Sequence, residues 1–124
     1  MFIGEYRHNL DQKGRIAVPV KFRSELGSGA VVTRGLDHCL FLFSEREWQE
    51  LAQKLTSLPL SQANSRAFVR LMMSGAMQVD LDSQGRILLP DYLRQYASLQ
   101  KEAVLTGLYN RVEIWSNEKW QEYK

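Results

Sequence analysis

The hydrophobic period of the chain changes several times, and each change marks an element. GEYRHNLD, residues 4–11, alternates apolar and polar positions and predicts a strand that runs into a turn at Asp11–Gly14. RIAVP, residues 15–19, is apolar and partly β-branched, which predicts the returning strand of a hairpin. Pro19 fits the first turn of a helix, where its missing N–H would be unpaired anyway. The period then lengthens. Phe22 and Leu26 stand four apart on one helical face, and Gly27 is a C-terminal stop. AVVTRG and CLFLFS predict two strands around a turn at Gly35–His38. Ser44 and Glu47 form an S-x-x-E capping box that opens a second helix, with Trp48, Leu51, Ala52 and Leu55 on its buried face and Pro59 closing it.

The next stretch, SQANSRAFVRLMMSG, places Ala63, Ala67, Phe68, Leu71 and Met72 at helical spacing. Ser61 can cap it and Gly75 can end it. With no Gly or Pro inside, it predicts a packed helical connector and not a flexible linker. After it the same order returns: GRILLP as a strand, PDYLRQYA as a short helix, AVLTGL and RVEIWS as strands, SNEKWQEY as the last helix.

This recurrence is a duplication. LDQKGRIAVP at residues 10–19 is rewritten 71 positions later as LDSQGRILLP. Gly4 matches Gly75 and Arg23 matches Arg94 at that offset. At an offset of 72, Val32, Gly35, Leu36 and Ser44 match Val104, Gly107, Leu108 and Ser116, and Trp48-Gln49-Glu50 matches Trp120-Gln121-Glu122. The chain divides into a first copy, 1–57, a connector, 58–74, and a second copy, 75–124. Two copies are too few for a solenoid and point to a fold with an internal two-fold axis.

Composition narrows the function without naming it. A chain of 124 residues, 44% hydrophobic and 24% charged, fits one soluble domain with a core. The single cysteine, Cys39, excludes an internal disulfide and fits a reducing compartment. MFIGEYRHNL is no signal peptide, because Glu5 and Arg7 interrupt it, and no stretch is apolar enough to span a bilayer. The reading is of a soluble cytoplasmic protein without a membrane partner.

The repeated phrase is the candidate site. Asp11, Gly14 and Pro19, with Asp82, Gly85 and Pro90, are read as turn and corner residues: an Asx-type carboxylate, a glycine at positive φ, and a fixed strand-to-helix bend. Arg15 and Arg86 have two compatible readings, which the sequence leaves open. Each can pair with the aspartate of its own turn, or offer its guanidinium to a phosphate or a guanine edge. Charge placement favours the first copy for an anionic partner. Residues 4–23 carry five cations, Arg7, Lys13, Arg15, Lys21 and Arg23, against two carboxylates, a net of +3. Residues 75–94 carry two against three, a net of −1. A catalytic reading finds little to stand on. His38 and Cys39 are adjacent and would point to opposite strand faces, and Cys39 reads as a buried apolar residue. No zinc-type spacing or phosphate-binding glycine loop occurs, and Asp80 and Asp82 lack a third acidic neighbour. The reading is of a non-enzyme with no metal, cofactor or small-molecule substrate. Trp48 and Trp120 read as anchors of helix to sheet, and Met72, Met73 and Met77 as core or contact residues.

MFIGEYRHNLDQKGRIAVPVKFR, the stretch TRGLDHCLFLF with the following Glu47-Trp48, and the second DSQGRILLP together closely resemble the MraZ family, bacterial proteins built from two tandem SpoVT/AbrB-type repeats. The resemblance covers essentially the whole chain, and members of that family often extend further than the position of Lys124. It implies an α+β fold, a pseudo-two-fold swapped-hairpin β-barrel with flanking helices. It implies a sequence-specific, DNA-binding transcriptional regulator of the division and cell-wall gene cluster, including its own promoter. It further implies ring homo-oligomers from octamer to dodecamer, and nucleoid association. The family's DNA-contact motif falls on Asp11, Lys13, Gly14 and Arg15, and on Asp82, Gly85 and Arg86. Arg23 and Arg94 occupy the position of a DNA-contacting helix arginine in related domains. The resulting DNA-binding set is Arg15, Lys13, Arg7, Arg23 and Arg86, with double-stranded promoter DNA as the partner. The second copy has Val79 where a basic residue is usual and the first has His8, so the first copy is expected to read DNA more strongly. The alternative class is a protein- or peptide-binding module whose basic hairpin meets an acidic partner.

Overall fold

Eight strands and five helices alternate in the order the sequence pattern dictates, in a computed structural model that describes residues 1–124. The first copy contains β1 (Phe2–Asn9), β2 (Arg15–Ala17), α1 (Val20–Leu26), β3 (Gly29–Arg34), β4 (Leu40–Ser44) and α2 (Glu45–Thr56). The connector is α3 (Ala63–Ser74). The second copy contains β5 (Met77–Asp80), β6 (Arg86–Leu88), α4 (Asp91–Tyr96), β7 (Glu102–Tyr109), β8 (Val112–Ser116) and α5 (Asn117–Tyr123).

The turn at Asp11–Gly14 forms, but the hairpin expected from it does not. β1 pairs antiparallel with β7 of the other copy, and β5 pairs with β3, so each copy gives its first strand to its twin. β2 pairs with β6, its own counterpart, with Ile16 opposite Ile87. β4 likewise pairs with β8, with Phe41 opposite Glu113. Ile16 with Ile87 and Phe41 with Glu113 are repeat-equivalent pairs, so the internal two-fold axis runs through both contacts. The strands assemble into a six-stranded antiparallel sheet, β1-β7-β8-β4-β3-β5, and a separate two-stranded ladder, β2-β6. The sheet is open, with β1 and β5 as its edges, so the closed barrel expected from the resemblance is not formed. A close approach at one edge fixes two glycines. Gly4, at φ +101°, lies opposite Gly107, where a Cβ would run into the backbone of Phe2 and Ile3.

Two apolar clusters lie on the two faces of the sheet. On one face the ladder, α1 and α4 cover Phe2, Ala30, Val32, Leu40, Leu105 and Ile114, with Ile16 and Ile87 fully buried at the centre. On the other face α2, α3 and α5 cover Phe41, Phe43, Val104 and Trp115 through Leu55, Met72 and their half-buried neighbours. Trp48 meets Phe43 at 5.8 Å between ring centroids and Trp120 meets Trp115 at 5.5 Å, the anchoring roles read from the sequence. The buried charge on this face is satisfied: Glu113 accepts hydrogen bonds from Arg111 at 2.8 Å and from the Trp115 indole at 3.1 Å.

Local signals set the helix ends, with some shifts. Ser44 Oγ accepts the Glu47 N–H at 3.2 Å, and Ser116 Oγ accepts the Lys119 N–H at 3.1 Å. Ser61 does not cap α3. Gln62 takes that place without a side-chain bond, its backbone carbonyl accepting the Arg66 N–H at 3.1 Å. That start turns Phe68, Val69 and Met72 toward the sheet and leaves Ala63 and Ala67 exposed. Pro19 and Pro90 sit one residue before their helices, at φ −52° and −60° with extended ψ, in place of the first helical turn. No helix is long and apolar enough to cross a membrane.

Candidate nucleic-acid interface

The repeated phrase builds the same turn twice. Asp11 Oδ1 accepts the backbone N–H groups of Lys13 and Arg15, both at 2.9 Å, and Oδ2 accepts Arg15 Nε at 2.7 Å. Asp82 holds Gln84 and Arg86 with the same three bonds, at 2.9, 2.9 and 2.8 Å. The backbone N–H of Asp11 donates to Arg15 O at 2.9 Å and that of Gly14 to Asp11 O at 3.0 Å. Gly14 and Gly85 take φ +85° and +74°, the left-handed region that glycine enters without strain. Both carboxyls are held below the ordinary aspartate range, first by the N–H of Arg15 or Arg86; burial opposes this as the next largest effect, and that arginine's side chain and the N–H of Lys13 or Gln84 outweigh it together. Both therefore stay ionised and orient their arginines.

Of the two readings of Arg15 and Arg86, the internal ion pair is present in both copies, and it leaves the other reading intact. Each arginine spends only Nε on its aspartate, and neither makes a hydrogen bond through Nη. The pleat decides where those groups point. Arg15 lies opposite Leu88 and Ala17 opposite Arg86, so these four share the outer face of the ladder while Ile16 and Ile87 point inward. The two arginines are diagonal neighbours on that face, and Arg86 Nη1 stands 3.9 Å from the carboxylate of Asp11.

The copies interlock around this ladder. The Val18 N–H donates to Gly85 O at 2.9 Å, and the Leu89 N–H to Gly14 O at 3.0 Å. Arg23 Nε donates to Val18 O at 2.8 Å, and the side chain lies over Gly85. Arg94 Nε donates to Leu89 O at 3.0 Å and lies over Gly14, where a Cβ would meet its Cζ at 2.7 Å. Arg23 thus stands at the second-copy turn and Arg94 at the first. One arginine crosses the axis each way, so the copy-by-copy charge count keeps its values of +3 and −1.

Lys13, Arg15, Arg23, Arg86 and Arg94 end up around one ladder. Arg7 does not join them. It pairs in register with Val104, whose side chain lies in the cluster on the other face, so β1 turns Arg7 away from the ladder toward the start of α5. Leu88, 55% exposed between the arginines, was missed in the sequence. The alternation of RILLP, with Ile87 and Leu89 inward, is the signal that could have found it. Cys39 is buried with its Sγ against Leu36 O at 3.2 Å, and burial, aided by the charge of Glu113, pushes its thiol well above the ordinary range. No group of three acidic, histidine or cysteine side chains is placed to hold a metal.

A family described as "MraZ protein, putative antitoxin-like" matches the chain twice, over residues 1–71 and 72–124. The chain is similar to a protein named Transcriptional regulator MraZ from Halothermothrix orenii, at 58% identity over 123 residues, 99% of this chain and 86% of that protein. Proteins of the same name from Desulforamulus reducens and Natranaerobius thermophilus are each 55% identical to it, over 99% and 100% of this chain and 87% of theirs.

Proposed function

The chain belongs to the MraZ family, and from that premise we propose that it is a transcriptional regulator that reads duplex promoter DNA with the outer face of the β2-β6 ladder. One observation carries the reading. Arg15 and Arg86, each fixed through Nε by an ionised aspartate, present Nη groups free of hydrogen bonds as diagonal neighbours on that face. A two-stranded ribbon fits the major groove, and an oriented guanidinium suits the two acceptors of a guanine edge. Lys13 is exposed at the tip of the first turn, and Arg23 and Arg94 flank the ladder to meet phosphates, which position the ribbon without reading sequence. Arg7, on the other face, has no part in this contact.

Such a face is small, so one subunit binds weakly. A ring from octamer to dodecamer would set several ladders against tandem boxes, and effective concentration would supply the affinity. Boxes about 10 base pairs apart would put successive ladders on one side of the duplex. The promoter of the division and cell-wall gene cluster that includes the protein's own gene is the proposed target, with the protein working at the nucleoid.

The test is binding to duplexes selected from a random pool. Arg15→Ala should cost about 1–3 kcal/mol per engaged subunit and relax specificity at one position, while Lys13→Ala should weaken all sequences alike and lower the salt slope by about 1. Unchanged affinity in a folded Arg15→Ala protein refutes the assignment. Binding to an acidic protein at matched salt, with none to DNA, would favour the module reading instead.

A further inference from the structure

The outer face of the ladder holds an apolar side chain that charge does not explain. Leu88 is 55% exposed, directly opposite Arg15 and on the same strand face as Arg86. Cross-strand neighbours of this kind lie about 5 Å apart at Cβ. Whatever covers the face must therefore meet two guanidinium groups and an aliphatic side chain within one small patch. The major groove offers that combination. Guanine presents O6 and N7 as acceptors, and the only apolar group on any base edge there is the C5-methyl of thymine.

We propose that Leu88 is a specificity-determining residue that packs on a thymine C5-methyl next to the bases met by Arg15 and Arg86. The inference rests on the DNA-binding reading above and adds a base to it. It also gives the two halves of the ladder different tasks. The two-fold equivalent of Leu88 is Ala17, smaller and half-buried opposite Arg86, and it reaches less far from the ladder. One half of each box should therefore demand a thymine and the other should not, so the box is asymmetric although the ladder that reads it is nearly symmetric.

The experiment uses the full chain and duplexes that it selects from a random pool. Each thymine of the bound box is replaced singly by deoxyuridine, which removes only the C5-methyl. The wild type should lose about fourfold in affinity per engaged subunit at one thymine, the value of one buried methyl-sized group. Leu88→Ala should bind more weakly and be indifferent to that replacement, with an unchanged salt slope because no charge is lost. If the wild type selects no duplex, the DNA reading fails and this inference with it. If Arg15→Ala loses binding but no single deoxyuridine matters, or if it matters equally in Leu88→Ala, only the Leu88 contact is overturned. A Leu88→Ala protein that changes mass by light scattering yet keeps the deoxyuridine effect overturns it too, and puts Leu88 at a contact between subunits.

Discussion

Replacing Gly14 by alanine tests the interlocking of the copies. The substitution acts twice. A side chain at φ +85° costs about 1–2 kcal/mol of left-handed strain. Its Cβ would also stand 2.7 Å from Arg94 Cζ, so the guanidinium has to leave. Moving it breaks the 3.0 Å bond from Arg94 Nε to Leu89 O, worth about 1 kcal/mol. Gly14→Ala should therefore destabilise the fold by about 2–3 kcal/mol in total. In an Arg94→Ala background the clash and the bond are both already gone, and only the backbone strain of about 1–2 kcal/mol is left. The double-mutant cycle should show a coupling of about 1 kcal/mol between residues of different copies. Guanidinium denaturation followed by tryptophan fluorescence, with the four proteins compared at one concentration, measures it. Additive effects would refute the placement of Arg94 over the first-copy turn. The equivalent cycle, Gly85→Ala with Arg23→Ala, should give the same sign, since Arg23 lies over Gly85 in the same way.

Acid should loosen the turns. A carboxyl whose pKa is lowered from 3.8 in the folded state stabilises the fold above that value, and the contribution is lost as pH falls through the lowered one. Asp11→Asn should lower the melting temperature at neutral pH, and its gap to the wild type should close below pH 3.8; a constant gap down to acid pH would refute the role of the charge. Cys39, buried and with its thiol pushed up, should resist iodoacetamide in the native protein and react fully in denaturant, whereas labelling of the native protein at the rate of a free thiol would contradict its burial.

Much of this molecule is written locally. Asp11, Gly14, Asp82 and Gly85 prescribe their turns, because a carboxylate two to four residues from its N–H donors and a glycine at positive φ act within one loop. Ser44 and Ser116 open their helices for the same reason, and the duplicated phrase alone implies the internal two-fold axis. The inward turn of Ile16 and Ile87 follows from strand alternation once the strands are known.

The sequence could not decide which strands pair. The copies are alike, so β1 carries a pattern that suits β3 of its own copy as well as β7 of the other, and local preferences barely separate the two. What chose β7 is burial summed over the whole sheet: only the exchanged pairing interleaves both copies around one core containing Ile16, Ile87, Leu40 and Ile114. That choice carried Arg94 to the first turn and Arg23 to the second. It turned Arg7 away from the ladder, and it left Leu88 standing between two arginines from different copies. The phrase at residues 10–19 determined its turn, its ion pair and its inward isoleucine, because those forces act over a few residues. The surface it belongs to was decided only when the second copy folded through the first.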